Sequence, residues 1–544
     1  MKRNIKCVIF ATAMGLMLAS CSDDFLERIP QGQYTEDGFY QSDEALAAAT
    51  APLYNRAWFD YNKRPAVAIG SLLANDAYNP WMNAEFTTFQ VTPLNTNLSD
   101  TWRAFYSVVT MANSIISAVE TKCGENVSEK ARLSAIAEAR LMRGVAYFYM
   151  VRLWGAVILF DDNQLIVKNP VQPLHEVSDV FRFIIEDLSY AAKYLPLSAV
   201  KGRASQWAAK GLLAKVYLCR SGWDKNGGAR DETDLEKARE LALDVCQNSG
   251  IQLLPNYEDL FKYSGNNNPE SLLAMQWIEN GVWGVCNTLL ADLAFGPEVT
   301  GGVNVWGGGM SASTDMLKQY EPADSLRRNA TFFTEGTHYN YICIKDGGYT
   351  YTGTSAPIKK GVIGGSDDND GIIINSMNCP LNTYIIRLAD VYLTLAEACL
   401  GNKAELSDGE GLEYFNKVRT RAKIKPKSSI TLDDIIRERR VEFCMEYCNW
   451  YDFVSWYVWQ PQKMLAYING QNRGWRASFV KKWKDGSIHF YKENDITTEE
   501  YNYGDTEPVI DISVDAEDIF LPYPESDVIQ NPLLKEAPVK YYKD

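Results

Sequence analysis

The stretch AEARLMRGVAYFYMVRLWG, residues 137–155 of this 544-residue chain, decides the fold. It combines small residues, which let helices approach closely, with Tyr, Phe and Trp side chains, which fill the wider gaps between packed helices. Ser128 can cap the helix at its start, and Gly155 stops it. The pattern therefore predicts one long helix from about Ser128 to Trp154 that packs against other helices.

Helical patterns of similar kind flank this stretch and recur later in the chain. They lie at residues 37–58, 101–119, 176–195, 205–221, 234–248, 382–400, 408–422 and 432–456. Paired helices joined by short loops are typical of a tetratricopeptide-like repeat scaffold, and an irregular helical domain is the alternative.

Between the two groups of helices the composition changes to Gly, Asn, Thr and aromatic residues, which predicts long loops and short strands. Structureless stretches of this length in a compact protein are usually functional surfaces. The chain is thus predicted to be mostly α, with an irregular insertion and an irregular C-terminal segment that packs on the scaffold. The predicted regions after the N-terminus are helical repeats at 36–250, the insertion at 251–381, helical repeats at 382–456 and the C-terminal segment at 457–544.

The N-terminal 20 residues have the pattern of a bacterial lipoprotein signal peptide. A basic start precedes an apolar run over residues 7–19, which is too short to span a bilayer. Small residues lead directly to Cys21, the predicted lipidation site, and an acidic stretch follows it. We expect residues 21–35 to be a lipid-anchored tether; an ordinary secretory signal is the alternative.

Composition and motifs exclude several classes of function. The net charge is −15 and no cluster of Lys or Arg stands out, so nucleic acid is a poor partner. The sequence contains no G-x-S-x-G elbow, Walker loop, H-E-x-x-H or C-x-x-C motif. Glu438 and Glu442 put two carboxylates on one helix face, but Arg439 and Arg440 between them favour ion pairs over acid–base catalysis.

One acidic turn has the oxygen density of a calcium loop. Asp367, Asp368 and Asp370 lie within four residues of each other, but the downstream Glu of an EF-hand is missing. A solvated turn is the favoured interpretation and a structural Ca²⁺ ion is the alternative. No other cofactor is predicted.

Several segments, taken in order along nearly the whole chain, resemble the SusD/RagB family of outer-membrane glycan-binding lipoproteins of Bacteroidetes. The segments are DFLE (24–27), AEARLMRG (137–144), AYFY (146–149), AKGLLAKVYL (209–218), RLADVYL (387–393), ERRVEF (438–443) and LPYP (521–524). The resemblance implies a non-enzymatic lipoprotein on the cell exterior that binds an oligosaccharide or polysaccharide. It also implies delivery of that ligand to a SusC-like TonB-dependent transporter. A surface glycoside hydrolase and a peptide-binding lid of a transporter are the alternatives.

Sugar recognition without catalysis needs flat aromatic faces for the C–H side of a pyranose and polar groups for its hydroxyls. Loops of the N-terminal region and of the insertion supply such residues, and the resemblance places ligand contacts in the same two regions. The candidates are Tyr78, Asn79, Trp81, Trp283, Asn304 and Trp306. The alternative for each tryptophan is that it packs its loop onto the scaffold, because Trp is highly buried on average.

Overall fold

The structure is a computed structural model that describes residues 39–279, 281–353, 355–471, 473, 480–482, 488–490 and 512–543. The predicted signal peptide, the lipidation site Cys21 and most of the tether lie outside the described residues. So does much of the segment between 472 and 511.

Helices dominate the described residues, which confirms the predicted fold class. Those of eight residues or more are α1 (Asp43–Thr50), α2 (Thr96–Lys122), α3 (Glu129–Trp154), α4 (Val177–Tyr194), α5 (Gln206–Gly222), α6 (Glu232–Asn248), α7 (Leu388–Leu400), α8 (Gly409–Arg421), α9 (Leu432–Glu442), α10 (Asn449–Tyr457) and α11 (Pro461–Asn469). Shorter helices are Arg64–Val67, Ala84–Thr87, Asn163–Lys168, Leu290–Leu293, Thr314–Gln319, Ser325–Thr331 and Glu525–Gln530.

The long helix α3 begins and ends as its sequence predicts. The Ser128 hydroxyl accepts the backbone N–H of Ala131 at 3.1 Å, and Gly155 adopts a φ of 69°, a conformation that favours glycine. Each helix from α2 to α8 packs against the next one in the chain, which is the arrangement of a stacked helical repeat. Gly211 on α5 shows why small residues are needed, because a Cβ atom there would lie 2.9 Å from Val391 Cγ2 on α7.

Three predicted helices are divided or shortened. The segment predicted as one helix over 432–456 is α9 and α10, separated by a turn in which Met445 and Tyr447 have positive φ. Gly70 packs directly against the Tyr447 backbone in that turn. The segment 382–400 begins as a strand before α7, and the described part of the segment 37–58, from residue 39, contains helix α1 followed by 3₁₀ turns.

The insertion contains short strands, as predicted, and also short helices, which were not predicted. The strands among the described residues are β1 (Ala77–Tyr78), β2 (Ser271–Met275), β3 (Ser311–Ala312), β4 (His338–Tyr339), β5 (Tyr349–Thr350), β6 (Thr383–Arg387), β7 (Val480–Lys482) and β8 (Ile488–Phe490). They pair antiparallel as β1 with β3, β2 with β6, β4 with β5 and β7 with β8. The β2–β6 pair brings the two ends of the insertion together.

A buried network of charged side chains joins the insertion to helix α9. Glu442 binds Arg387 (Nη1 to Oε1, 2.7 Å) and Arg327 (Nη1 to Oε2, 3.0 Å), and it also pairs with Arg421. Glu438, one turn earlier, binds the same Nη1 of Arg327 at 2.7 Å. Burial alone would raise the pKa of Glu442, but the three arginines outweigh it and hold that pKa well below its ordinary value. Glu438 and Glu442 therefore form ion pairs, as predicted, but their partners are distant arginines; Arg439 and Arg440 bind other carboxylates.

Removing the charge of Glu442 should destabilise the protein strongly. We expect Glu442→Gln to lower the free energy of unfolding by about 3 kcal/mol, because three buried guanidinium groups lose their shared anion. Urea denaturation measures the loss. Glu413→Gln is the matched control, since Glu413 pairs with Lys417 at 2.9 Å on the exposed surface and should cost less than about 1 kcal/mol. Equal losses in both variants would contradict the role of the network.

Candidate functional site

The three candidate tryptophans are exposed. Trp81 is 70% exposed, Trp283 is 64% exposed and Trp306 is 40% exposed. A tryptophan that only packs its loop onto the scaffold would be largely buried. The exposure therefore favours a surface role for these three side chains, and their contact with a ligand stays a prediction.

The loop that carries Trp81 is rooted in the short strand β1. Ala77 and Tyr78 pair with Ala312 and Ser311 of β3 in the insertion. The Asn79 side-chain oxygen accepts the backbone N–H of Trp81 at 3.0 Å.

Tyr78 and Asn79, which the sequence predicts as ligand contacts, are only 4% and 1% exposed. Both residues lie beneath the loop and shape it, so the structure gives no support to a direct contact of either with a ligand.

Trp306 precedes a turn of three glycines that supports Trp81. The backbone N–H of Trp306 donates to the Ala291 carbonyl at 2.9 Å, and that of Gly307 donates to the Ala294 carbonyl at 3.0 Å. A Cβ atom on Gly309 would lie 2.7 Å from Trp81 Cε3, so the turn lies directly against the Trp81 ring. Trp81 and Trp306, which are far apart in the sequence, are neighbours across this turn.

Trp283 is supported by a different aromatic residue. Its ring meets the ring of Phe59 edge to face, with a centroid distance of 4.9 Å and an interplanar angle of 76°. The Lys63 ammonium lies 5.1 Å from the Phe59 centroid and 5.8 Å from the Trp283 centroid. Phe59 itself is buried.

A carboxylate connects these two parts of the surface. Asp292 Oδ1 accepts the indole N–H of Trp306 at 2.6 Å and the Nε–H of Arg64, which follows Lys63, at 3.1 Å. These contacts thus link the three tryptophans, which we call the tryptophan platform (Trp81, Trp283 and Trp306).

Four supporting residues, namely Phe59, Lys63, Arg64 and Asp292, were not predicted from the sequence. No local spacing relates them to the tryptophans, so only the folded structure reveals them.

The remaining predicted site residues are placed as follows. Asn304 is exposed two residues before Trp306. The two carboxylate oxygens of Asp368 accept the backbone N–H groups of Ile344 (2.8 Å) and Gly365 (2.9 Å), and Asp367 forms a surface ion pair with Lys345. Within the described residues, no group of three or more His, Cys, Asp or Glu side chains is arranged to hold a metal ion. A structural Ca²⁺ ion at the Asp367 turn stays a prediction.

The root of the Trp81 loop is fixed to the scaffold by Asp76. Its buried carboxylate accepts the Asn449 side-chain N–H at 2.9 Å and the Met445 backbone N–H at 3.2 Å. Burial raises the pKa of Asp76 to about 6, although nearby Arg440 opposes this shift. The loop therefore starts from a carboxyl group whose protonation changes near neutral pH.

Two family models match the chain. One is described as the SusD family and matches residues 307–541, and the other is described as starch-binding associating with outer membrane and matches residues 24–218. A SusD-like protein of Bacteroides ovatus is 64% identical over 541 residues, which cover 98% of each chain. The chain belongs to the SusD family.

Solved structures agree with this membership. A crystal structure with xylogluco-oligosaccharide is 64% identical in sequence and has a TM-score of 0.87, covering 92% of this chain and 100% of that one. Surface glycan-binding protein A from Bacteroides thetaiotaomicron, in complex with laminarihexaose, has a TM-score of 0.65 at 20% identity over 90% of this chain and 96% of its own, so the likeness concerns the fold alone. One family model is described as starch-binding and the 64% identical structure holds a xylogluco-oligosaccharide, so the prediction of a carbohydrate-binding protein that is not an enzyme is confirmed.

In the described part of the chain, every helix is too short or too polar to cross a bilayer.

The buried carboxyl of Asp76 should make stability depend on pH. Between its ordinary pKa and about 6, the folded protein holds a proton that the unfolded chain releases, so this stabilisation is lost as the pH rises through 6. Relative to Asp76→Asn, we expect the native chain to lose about 1 kcal/mol of unfolding free energy between pH 5 and pH 7. Urea denaturation of both proteins at the two pH values measures this. A difference that stays constant with pH would contradict the assignment to Asp76.

Proposed function

We propose that this SusD-family protein binds an oligosaccharide or polysaccharide on the tryptophan platform. The observation that carries the proposal is the linked set of three tryptophans, from separate parts of the chain, that expose 40–70% of their area. Large exposed apolar patches commonly mark ligand-binding or partner-binding sites.

The chemistry of the platform fits a pyranose chain. An indole ring covers the C–H face of a sugar, and the hydroxyl groups at the sugar edge then need hydrogen-bonding partners. Arg64, with about half of its side chain exposed, and the exposed Asn304 lie beside Trp306 and offer such partners.

We infer that the ligand is a xyloglucan-derived oligosaccharide. The solved structure with xylogluco-oligosaccharide supports this choice, because it is 64% identical to the present chain and covers 92% of it.

We further propose that the protein is a lipoprotein, anchored through Cys21 in the outer membrane and facing the cell exterior. It would hand its ligand to a SusC-like TonB-dependent transporter. Support comes from the lipoprotein pattern of the N-terminus and from the family model described as associating with the outer membrane. In this arrangement the platform captures the glycan, and the tether keeps the protein next to the transporter.

Truncating each platform tryptophan tests the binding site. We expect Trp81→Ala, Trp283→Ala and Trp306→Ala each to weaken binding of a xylogluco-oligosaccharide by about 1 kcal/mol or more, while thermal stability stays nearly unchanged. Titration calorimetry and a thermal melt measure the two effects. Trp207→Ala on α5 is the matched control, because Trp207 lies on the repeat scaffold and should leave affinity unchanged. Unchanged affinity in all three platform variants would refute the site.

Lipid anchoring has its own test. Cys21→Ser should move the protein from the membrane fraction to the soluble fraction, because the acylated side chain is the proposed attachment. Cys123→Ser is the control, since this cysteine follows helix α2 and should not affect membrane attachment. Fractionation followed by immunoblotting measures the distribution. Persistent membrane attachment of Cys21→Ser would contradict the lipid anchor.

A further inference from the structure

We propose that Asp292 is a positioning residue of the platform, which orients the indole of Trp306 so that a ring face, and not its polar edge, meets the ligand. The inference rests on the proposed sugar binding, and it assigns a role to a residue that does not itself need to touch the sugar.

The hydrogen bond of the indole determines which part of Trp306 faces outward. An indole has a single donor, its Nε1–H, and in Trp306 this group donates to Asp292 Oδ1 at 2.6 Å. Asp292 is only 7% exposed, so the polar edge of the ring is directed into the protein. The 40% of Trp306 that remains exposed therefore presents mainly the carbon surface of the ring.

The acceptor is itself held in place. Arg64 Nε donates to the same oxygen at 3.1 Å and balances the charge of the nearly buried carboxylate. The backbone of Trp306 is fixed as well, because Trp306 and Gly307 donate backbone hydrogen bonds to Ala291 and Ala294. With both backbone and side chain fixed, the indole loses little conformational freedom when a ligand binds, and affinity gains from this preorganisation.

This support is particular to Trp306. Trp283 is propped by the Phe59 ring, and Trp81 lies on the turn at Gly309. Asp292 also holds Arg64, so a change at Asp292 should act on affinity mainly through Trp306 and to a smaller extent through Arg64, and a double-mutant cycle separates the two contributions.

The experiment measures xylogluco-oligosaccharide binding by calorimetry for the native chain and four variants. They are Asp292→Ala, Asp292→Asn, Trp306→Phe and the double variant Asp292→Ala/Trp306→Phe. Asp292→Ala should weaken binding about fivefold, a typical effect of losing one well-oriented aromatic contact. Asp292→Asn keeps an acceptor oxygen and should retain most of the affinity. In the Trp306→Phe background, where no N–H exists, Asp292→Ala should have a clearly smaller effect, because only the contact to Arg64 remains to be lost.

A spectroscopic measurement separates positioning from general stability. With 5-fluorotryptophan incorporated, the ¹⁹F resonance of Trp306 is identified by its absence in Trp306→Phe. Asp292→Ala should shift this resonance while leaving those of Trp81 and Trp283 in place. If Asp292→Ala fails to fold, Asp292→Leu, which fills the space without an acceptor, takes its place in both measurements.

The outcomes distinguish this inference from the proposed function. An equal loss from Asp292→Ala in the native and Trp306→Phe backgrounds would overturn the positioning role. So would unchanged affinity of Asp292→Ala when Trp306→Ala weakens binding, and in that case the proposed function stands. If none of the three platform Trp→Ala variants weakens binding, the proposed function fails, and the positioning role fails with it.

Discussion

The ion cluster around Glu442 is the interaction on which the arrangement of this protein depends. Glu442 lies on helix α9, and its partners are Arg327 in the middle of the insertion, Arg387 just after the end of the insertion and Arg421 on α8. Arg387 ends strand β6, Arg327 lies in the helical turn Ser325–Thr331, and Glu270 just before β2 binds Arg387 at 2.9 Å. Arg327 and Arg387 thus fix the long irregular insertion to helix α9, and Arg387 links Glu270, near the start of the insertion, to the same cluster. A buried charge without its partners is costly, so alternative placements of the insertion are strongly disfavoured.

Helix α9 also contacts the root of the Trp81 loop, because successive residues of the helix point in different directions. Arg440 donates to the Ala74 carbonyl at 3.2 Å and binds Asp315 at 3.0 Å, next to the root of the Trp81 loop. Arg439 binds Asp390 on α7 and Asp452 on α10, within the helical scaffold. The segment ERRVE therefore contacts the insertion, the Trp81 loop and the scaffold from a single pair of helical turns. The charged side chains of this segment can be buried because each of them is ion-paired.

The sequence predicted the helices, the irregular insertion, the exposed tryptophans and an ion-pair role for Glu438 and Glu442, because these follow from local patterns of polarity and spacing. It did not predict the arginines that pair with these two carboxylates, which come from distant segments. It did not predict the buried positions of Tyr78 and Asn79. Their burial depends on pairing of β1 with β3, more than 230 residues away, and no local pattern signals that pairing. Asp292 was not predicted for the same reason. It contacts Trp306 only because folding brings the turn after Trp306 against the helix Leu290–Leu293. Contacts between segments that are distant in the chain are thus the feature of the site that a single sequence does not predict.

The exposure of the tryptophans is itself a consequence of this rigid frame. Large aromatic surface in contact with water is unfavourable, and a loop free to move would fold its indole back against the protein. Here backbone hydrogen bonds and the Asp292 contact fix Trp306, the Phe59 ring props Trp283, and the glycine turn lies beneath Trp81. The packing and ion pairs of the scaffold offset the unfavourable free energy of exposing these rings to water. A glycan that covers the rings removes this exposed surface from water. The hydrophobic free energy that folding does not gain at these rings then contributes to binding.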